Sequence, residues 1–149
     1  TLGYRQVATV AAVSKAGAVL TYRSLAPACA LNGQQITPLT GVGECAISVT
    51  SAGNATAAPV TVILPIRLTL GAQTLGTFAL PETLKAFSKT NLPTASNFGE
   101  RVSYKAMGSC SVVRSVLTMR RGKCDITATA GARKGLYEAL NTKLAVTGK

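Results

Sequence analysis

The chain has 149 residues, of which 47% are apolar and 14% charged, with 16 Lys plus Arg, 5 Asp plus Glu, and neither His nor Trp. That much apolar material excludes a disordered polyelectrolyte, and the lack of histidine excludes histidine-dependent catalysis and histidine metal sites. The net charge of +11 keeps anionic polymers in view as partners.

Thr1 stands where a methionine would open a whole gene product, so the sequence reads as processed or excerpted, with any targeting segment gone. Residues 7–13 (Val-Ala-Thr-Val-Ala-Ala-Val) form a first apolar segment with no gatekeeping charge. Leu20-Thr21-Tyr22 follows as a strand. Asn32-Gly33, between Cys29-Ala30-Leu31 and Gln34-Gln35-Ile36-Thr37, has the chemistry of a type I′ hairpin turn. Gly41-Val42-Gly43 then turns the chain into a strand in which Cys45, Ile47 and Val49 alternate with Ala46, Ser48 and Thr50. Asn54-Ala55-Thr56 fits a glycosylation sequon and marks an exposed loop. Ala57 to Ile66 is interrupted by Pro59 and Pro65 and stopped by Arg67. It is too short for a membrane helix, which needs about 20 apolar residues, so no membrane span is expected.

Pro81 to Phe87 has a proline and an acid where a turn of helix would start. Beyond it, Val102-Ser103-Tyr104 repeats the tyrosine strand. Cys110–Val113, Val116–Met119 and Cys124–Thr129 read as a three-strand meander with turns near Arg114-Ser115 and Arg121-Gly122. Gly135 to Val146 admits a helix, with Leu136, Leu140 and Leu144 four apart. The β-branched run at 60–64 in the corresponding part of the first half argues for a strand instead.

Cysteines stand at 29, 45, 110 and 124, without a Cys-x-x-Cys motif. Four allow three pairings, and the spacing favours Cys29–Cys45 and Cys110–Cys124. Bridges imply an oxidising, extracellular setting; four buried free thiols in a cytosolic chain are the alternative.

The cysteine pairs mark a duplication. Gly17 to Arg23 parallels Gly99 to Lys105, and Gly43-Glu44-Cys45-Ala46-Ile47-Ser48-Val49-Thr50 parallels Gly122-Lys123-Cys124-Asp125-Ile126-Thr127-Ala128-Thr129. The two tyrosines are 82 positions apart, the first cysteines 81 and the second cysteines 79.

On these motifs both halves resemble the bacterial immunoglobulin-like repeats found in tandem in secreted and surface proteins. The residues that carry the likeness are Leu20-Thr21-Tyr22, Cys29, Gly43-Glu44-Cys45-Ala46-Ile47 and Gly53-Asn54 in one half. In the other they are Val102-Ser103-Tyr104, Cys110, Gly122 to Ala128 and Gly131. The resemblance implies an all-β chain of two tandem immunoglobulin-like β-sandwich domains, residues 1–72 and 73–149. The first half has about ten fewer residues ahead of its tyrosine strand, so it is expected to lack its opening strand or borrow one.

Chemistry is sparse. Glu44, Glu82, Glu100, Asp125 and Glu138 are scattered singly, with no acid/base pair, phosphate loop or calcium loop. No enzyme, cofactor or metal is expected. Residues 1–70 carry four bases and one acid, and 71–149 carry twelve and four. Arg114, Arg120, Arg121 and Lys123 around one hairpin, with Arg133 and Lys134 beyond, form a candidate patch for an anionic glycan or wall polymer. A solvated basic surface is the plainer reading. Without interleaved aromatics, sequence-specific nucleic acid binding is not expected. Tyr22 and Tyr104 read as core beside the bridges.

The expected role is a non-enzymatic structural or adhesive module of a bacterial extracellular or cell-surface protein. The alternative is a self-assembling, pilus-like filament subunit in which Val7, Thr9, Val10 and Val13 belong to a strand donated to another copy.

Overall fold

The computed structural model describes residues 1–14 and 17–149. Among these the chain is all-β, with no helix. It divides into two compact units, Thr1–Gly71 with Lys134–Tyr137, and Ala72–Arg133 with Glu138–Lys149.

The first unit contains β1 (Leu2–Gly3), β2 (Ala8–Thr9), β3 (Leu20–Ser24), β4 (Cys29–Asn32), β5 (Gln35–Pro38), β6 (Glu44–Ser51) and β7 (Val60–Thr69). One sheet runs β1-β7-β6-β3 and the other β2-β5-β4. Alternation along β6 buries Cys45, Ile47 and Val49, as the sequence period requires. They meet Cys29 and Ile36 from the smaller sheet, and Val10 just past β2, in a single core, so the apolar cluster lies between the two sheets. The Cys29–Cys45 disulfide spans that core, with Cα atoms 6.0 Å apart.

The opening strand expected to be missing is present. β1 runs parallel to β7 through Leu2↔Leu68 and Gly3↔Thr69. β2 pairs antiparallel with β5 through Ala8↔Ile36 and Thr9↔Gln35. The Val10 amide then donates to the Gln34 carbonyl at 2.8 Å, and Val10 is 7% exposed. The length difference comes instead from residues 72–82, which precede β8 (Thr83–Leu84) in the second unit. Of the four candidate donated-strand residues, Thr9 and Val10 are therefore engaged within their own unit, while Val7 and Val13 are 58% and 90% exposed.

The second unit contains β8, β9 (Lys89–Asn91), β10 (Ser103–Val113), β11 (Val116–Ala130) and β12 (Leu140–Gly148). The sheet runs β10-β11-β12-β8, with β9 also on β11. The predicted meander is a single hairpin here, because the chain does not turn at Arg121-Gly122. β11 continues through that point, and Gly122 has φ of 118°. Opposite it the register shifts between Gly108 and Cys110, a bulge that lets two long strands bend together. In the first unit the chain breaks at this place, between β5 and β6. The Cys110–Cys124 disulfide ties the bent hairpin across its corner, with Cα atoms 5.6 Å apart.

Two local expectations are also corrected. The β4–β5 loop is Gly33-Gln34, flanked by the Asn32↔Gln35 pair, and has positive φ at Gly33 alone. That is the φ pattern of a type II′ turn, with Asn32 ending the strand. It is Arg114-Ser115, with φ of 49° and 63°, that shows the I′ pattern. Pro81 to Phe87 forms β8 and a turn closed by the Ser88 amide on the Lys85 carbonyl at 3.1 Å, not a turn of helix. Leu140–Gly148 is strand, as the first half argued.

Candidate functional site

Two bent strands build a polar concavity. A cleft of about 550 Å³ in the second unit is lined by Arg101, Arg114, Thr94, Ser103, Ser115 and Tyr104. Arg101 stands just before β10 and Arg114 just after it. The bend at the Gly108/Cys110 bulge lets both flanks of one strand line one cleft. Both arginines are exposed, and each guanidinium offers a planar fork of donors that matches an oxyanion. With Thr94, Ser103 and Ser115 in the same lining, the cleft suits a carboxylate, sulfate or phosphate group.

Sequence reasoning grouped Arg114 with Arg120, Arg121 and Lys123 and missed Arg101. The structure places these bases at separate stations along β11. Arg114 is at the hairpin tip, while Arg120, Arg121 and Lys123 lie at the bend, all exposed. From tip to bend is up to about 30 Å of strand path at 3.3 Å per residue. Arg133 follows the far end of β11, and Lys134 belongs to the first unit. No signal in the sequence marks Arg101, because its partner is 13 residues away and only the bend relates them. At the repeat spacing Val19 and Gly33 take the places of Arg101 and Arg114 in the first unit.

The tyrosines sit against the cores, as expected. Tyr104 packs on both apolar clusters of the second unit, and its hydroxyl donates to the Pro93 carbonyl at 2.7 Å. Burial raises its pKa above the ordinary tyrosine value. Tyr22 packs on the first core and accepts from Gln34 Nε2 at 3.1 Å. Asn54 of the sequon is exposed, and its Oδ1 accepts from the Thr56 amide at 3.0 Å.

Among the described residues no group of three or more His, Cys, Asp or Glu is placed to hold a metal ion, and no helix is long and apolar enough to cross a membrane. The two disulfides fit an oxidising environment. Comparison with family profiles and with curated proteins gives no match.

Proposed function

We propose that the chain is a non-enzymatic structural module of a bacterial extracellular or cell-surface protein, made of two immunoglobulin-like sandwiches in tandem. The observation that supports this reading is the duplication itself, which extends from sequence motif to strand order to main-chain hydrogen bonds, with one bridge inside each copy. Arrays of cross-linked β units resist extension and suit a spacer that displays loops. An adhesive role toward an anionic glycan or wall polymer rests on the Arg101–Arg114 cleft and the net positive charge. Strand donation between copies is not proposed, because the segment to be donated already pairs with β5.

Single-molecule extension of the intact chain tests the spacer. Two discrete unfolding events are expected, and reduction should lengthen each by about 50 Å, since the bridges lock 16 and 14 residues at roughly 3.4 Å apiece. Gradual extension without discrete events would overturn the spacer role. A glycan and wall-polymer array tests adhesion. Saturable binding lost in Arg101→Ser/Arg114→Ser supports the cleft, whereas a negative array removes the adhesive role.

A further inference from the structure

The two units differ most at a place where the repeat predicts a match. In the first, an apolar groove of about 530 Å³ is lined by Ala12, Leu20, Val49, Val60, Val62 and Leu64, among other uncharged residues. Val60 is 55% exposed and Val62 49%, although both stand on the inward row of β7 that ends in Leu68, 4% exposed. The strand registers map Val49, Ser51 and Val60 onto Ala128, Ala130 and Leu140, because Val49↔Val62 and Ser51↔Val60 in one unit correspond to Ala128↔Thr142 and Ala130↔Leu140 in the other. Leu20 corresponds to Val102. There the same surface is closed: Leu140 is 3% exposed, Val102 4% and Ala128 0%.

What closes it is the segment 72–80. Leu75 packs on the cluster of Val102, Ala128, Ala130 and Leu140, and Phe78 and Leu80 pack on the adjoining core. Gln73 is buried, and its Nε2 donates to the carbonyls of Gly131 and Glu138, both at 2.6 Å. Asn97 Oδ1 accepts from the Thr74 amide at 2.9 Å. Residues 72–81 carry no charge, which matches the lining of the groove. At the repeat spacing the corresponding positions lie on the N-terminal side of Thr1. By the strand registers Ala52 and Ala58 are the counterparts of Gly131 and Glu138, and the acceptors there are again main-chain carbonyls. Lys15, the counterpart of Asn97, lies outside the described residues.

We infer that the groove of the first unit seats an extended, uncharged linker peptide of the 72–80 kind, running into β1 from its N-terminal side as 72–80 runs into β8. Its apolar side chains cover Val60, Val62 and Leu20, and its polar anchor bonds the main chain of the β6–β7 loop. The inference does not depend on the spacer reading, since it concerns only how one unit completes its core.

The test fuses a second copy of residues 72–82 directly ahead of Thr1 of the full chain. A control carries Leu75→Ser, Phe78→Ser and Leu80→Ser in the added copy alone. Hydrogen exchange across residues 58–64 is expected to slow by about tenfold or more relative to the control, with a higher unfolding midpoint. Equal exchange and equal midpoints in the two extended chains overturn the inference. Slow exchange at 58–64 in the unextended chain, together with a dimer in sedimentation, assigns the groove to a second copy and also overturns it.

Discussion

Arg5 and Phe87 stand 82 positions apart and hold the same left-handed backbone, with φ of 59° and 65°. The Arg5 amide donates to the Pro38 carbonyl at 3.1 Å, and the Phe87 amide to the Met119 carbonyl at 2.9 Å. The side chains share nothing: Arg5 lies over the Tyr4 ring, its guanidinium carbon 5.3 Å from the centroid, while Phe87 is 77% exposed. The duplication thus preserves a backbone device, the kink that carries the chain from the parallel strand (β1 or β8) to the antiparallel one (β2 or β9).

That kink is costly for residues with a Cβ, by roughly 1–2 kcal/mol in the left-handed region. Phe87→Gly removes the cost and forfeits little burial, although a glycine also loosens the unfolded chain by about 0.5–1 kcal/mol. Urea denaturation should show Phe87→Gly neutral to slightly more stable and Phe87→Val less stable by about 1–2 kcal/mol. If valine matched or exceeded glycine, the backbone account would be wrong.

Each bridge closes a short loop around a buried sulfur, with Cys45 0% and Cys124 1% exposed. Cys29→Ala/Cys45→Ala and Cys110→Ala/Cys124→Ala should each destabilise the unit concerned by about 3 kcal/mol in the chain-entropy model. Thermal scans with and without reductant check this. An unfolding midpoint unmoved by complete reduction would show that the bridges contribute no stability.

Much of the fold was legible because period-two alternation and paired cysteines are local signals. Cys45, Ile47 and Val49 face inward as their spacing demands, and the bridges join the cysteines that lie close in sequence. What was illegible depends on long-range geometry. Leu2–Gly3 and Ala8–Thr9 are strands of two residues each, too short to show a period, and they exist because β7 and β5 offer them an edge. Gly122 reads as a turn residue in sequence, yet inside a long strand it supplies a bend. The cleft residue Arg101 was invisible for the same reason, since only that bend relates it to Arg114.

The bend itself is testable at Gly108. Its φ is +94°, and a Cβ there would meet the Lys123 carbonyl oxygen at 2.5 Å, across the paired strand. The main chain cannot yield without breaking the β10–β11 ladder, so Gly108→Ala should cost well over 1–2 kcal/mol, the left-handed penalty alone. Gly131, with no positive φ and open space around it, provides the contrast. Gly131→Ala should stay within about 0.5 kcal/mol of the parent. Equal midpoints for the two variants in denaturant titrations would count against a sterically enforced bend.

Tyr104 links the core of the second unit to pH. Its hydroxyl is a donor to Pro93, and burial raises its pKa, so the folded state resists ionisation. A raised pKa leaves stability fully present below the unfolded value of about 10 and removes it as pH rises past that value toward the higher folded one. The unfolded chain releases the proton first, and alkali therefore favours unfolding. Tyr104→Phe deletes both the proton and the hydrogen bond. At pH 7 it should cost about 0.5–1.5 kcal/mol, with the Pro93 carbonyl left to water. Above pH 10 the parent should lose stability faster than the variant, so their difference narrows. Denaturant titrations of both proteins at pH 7, 9 and 11 read this directly. A gap that stayed constant across that range would show that the Tyr104 hydroxyl titrates alike in the folded and unfolded chain.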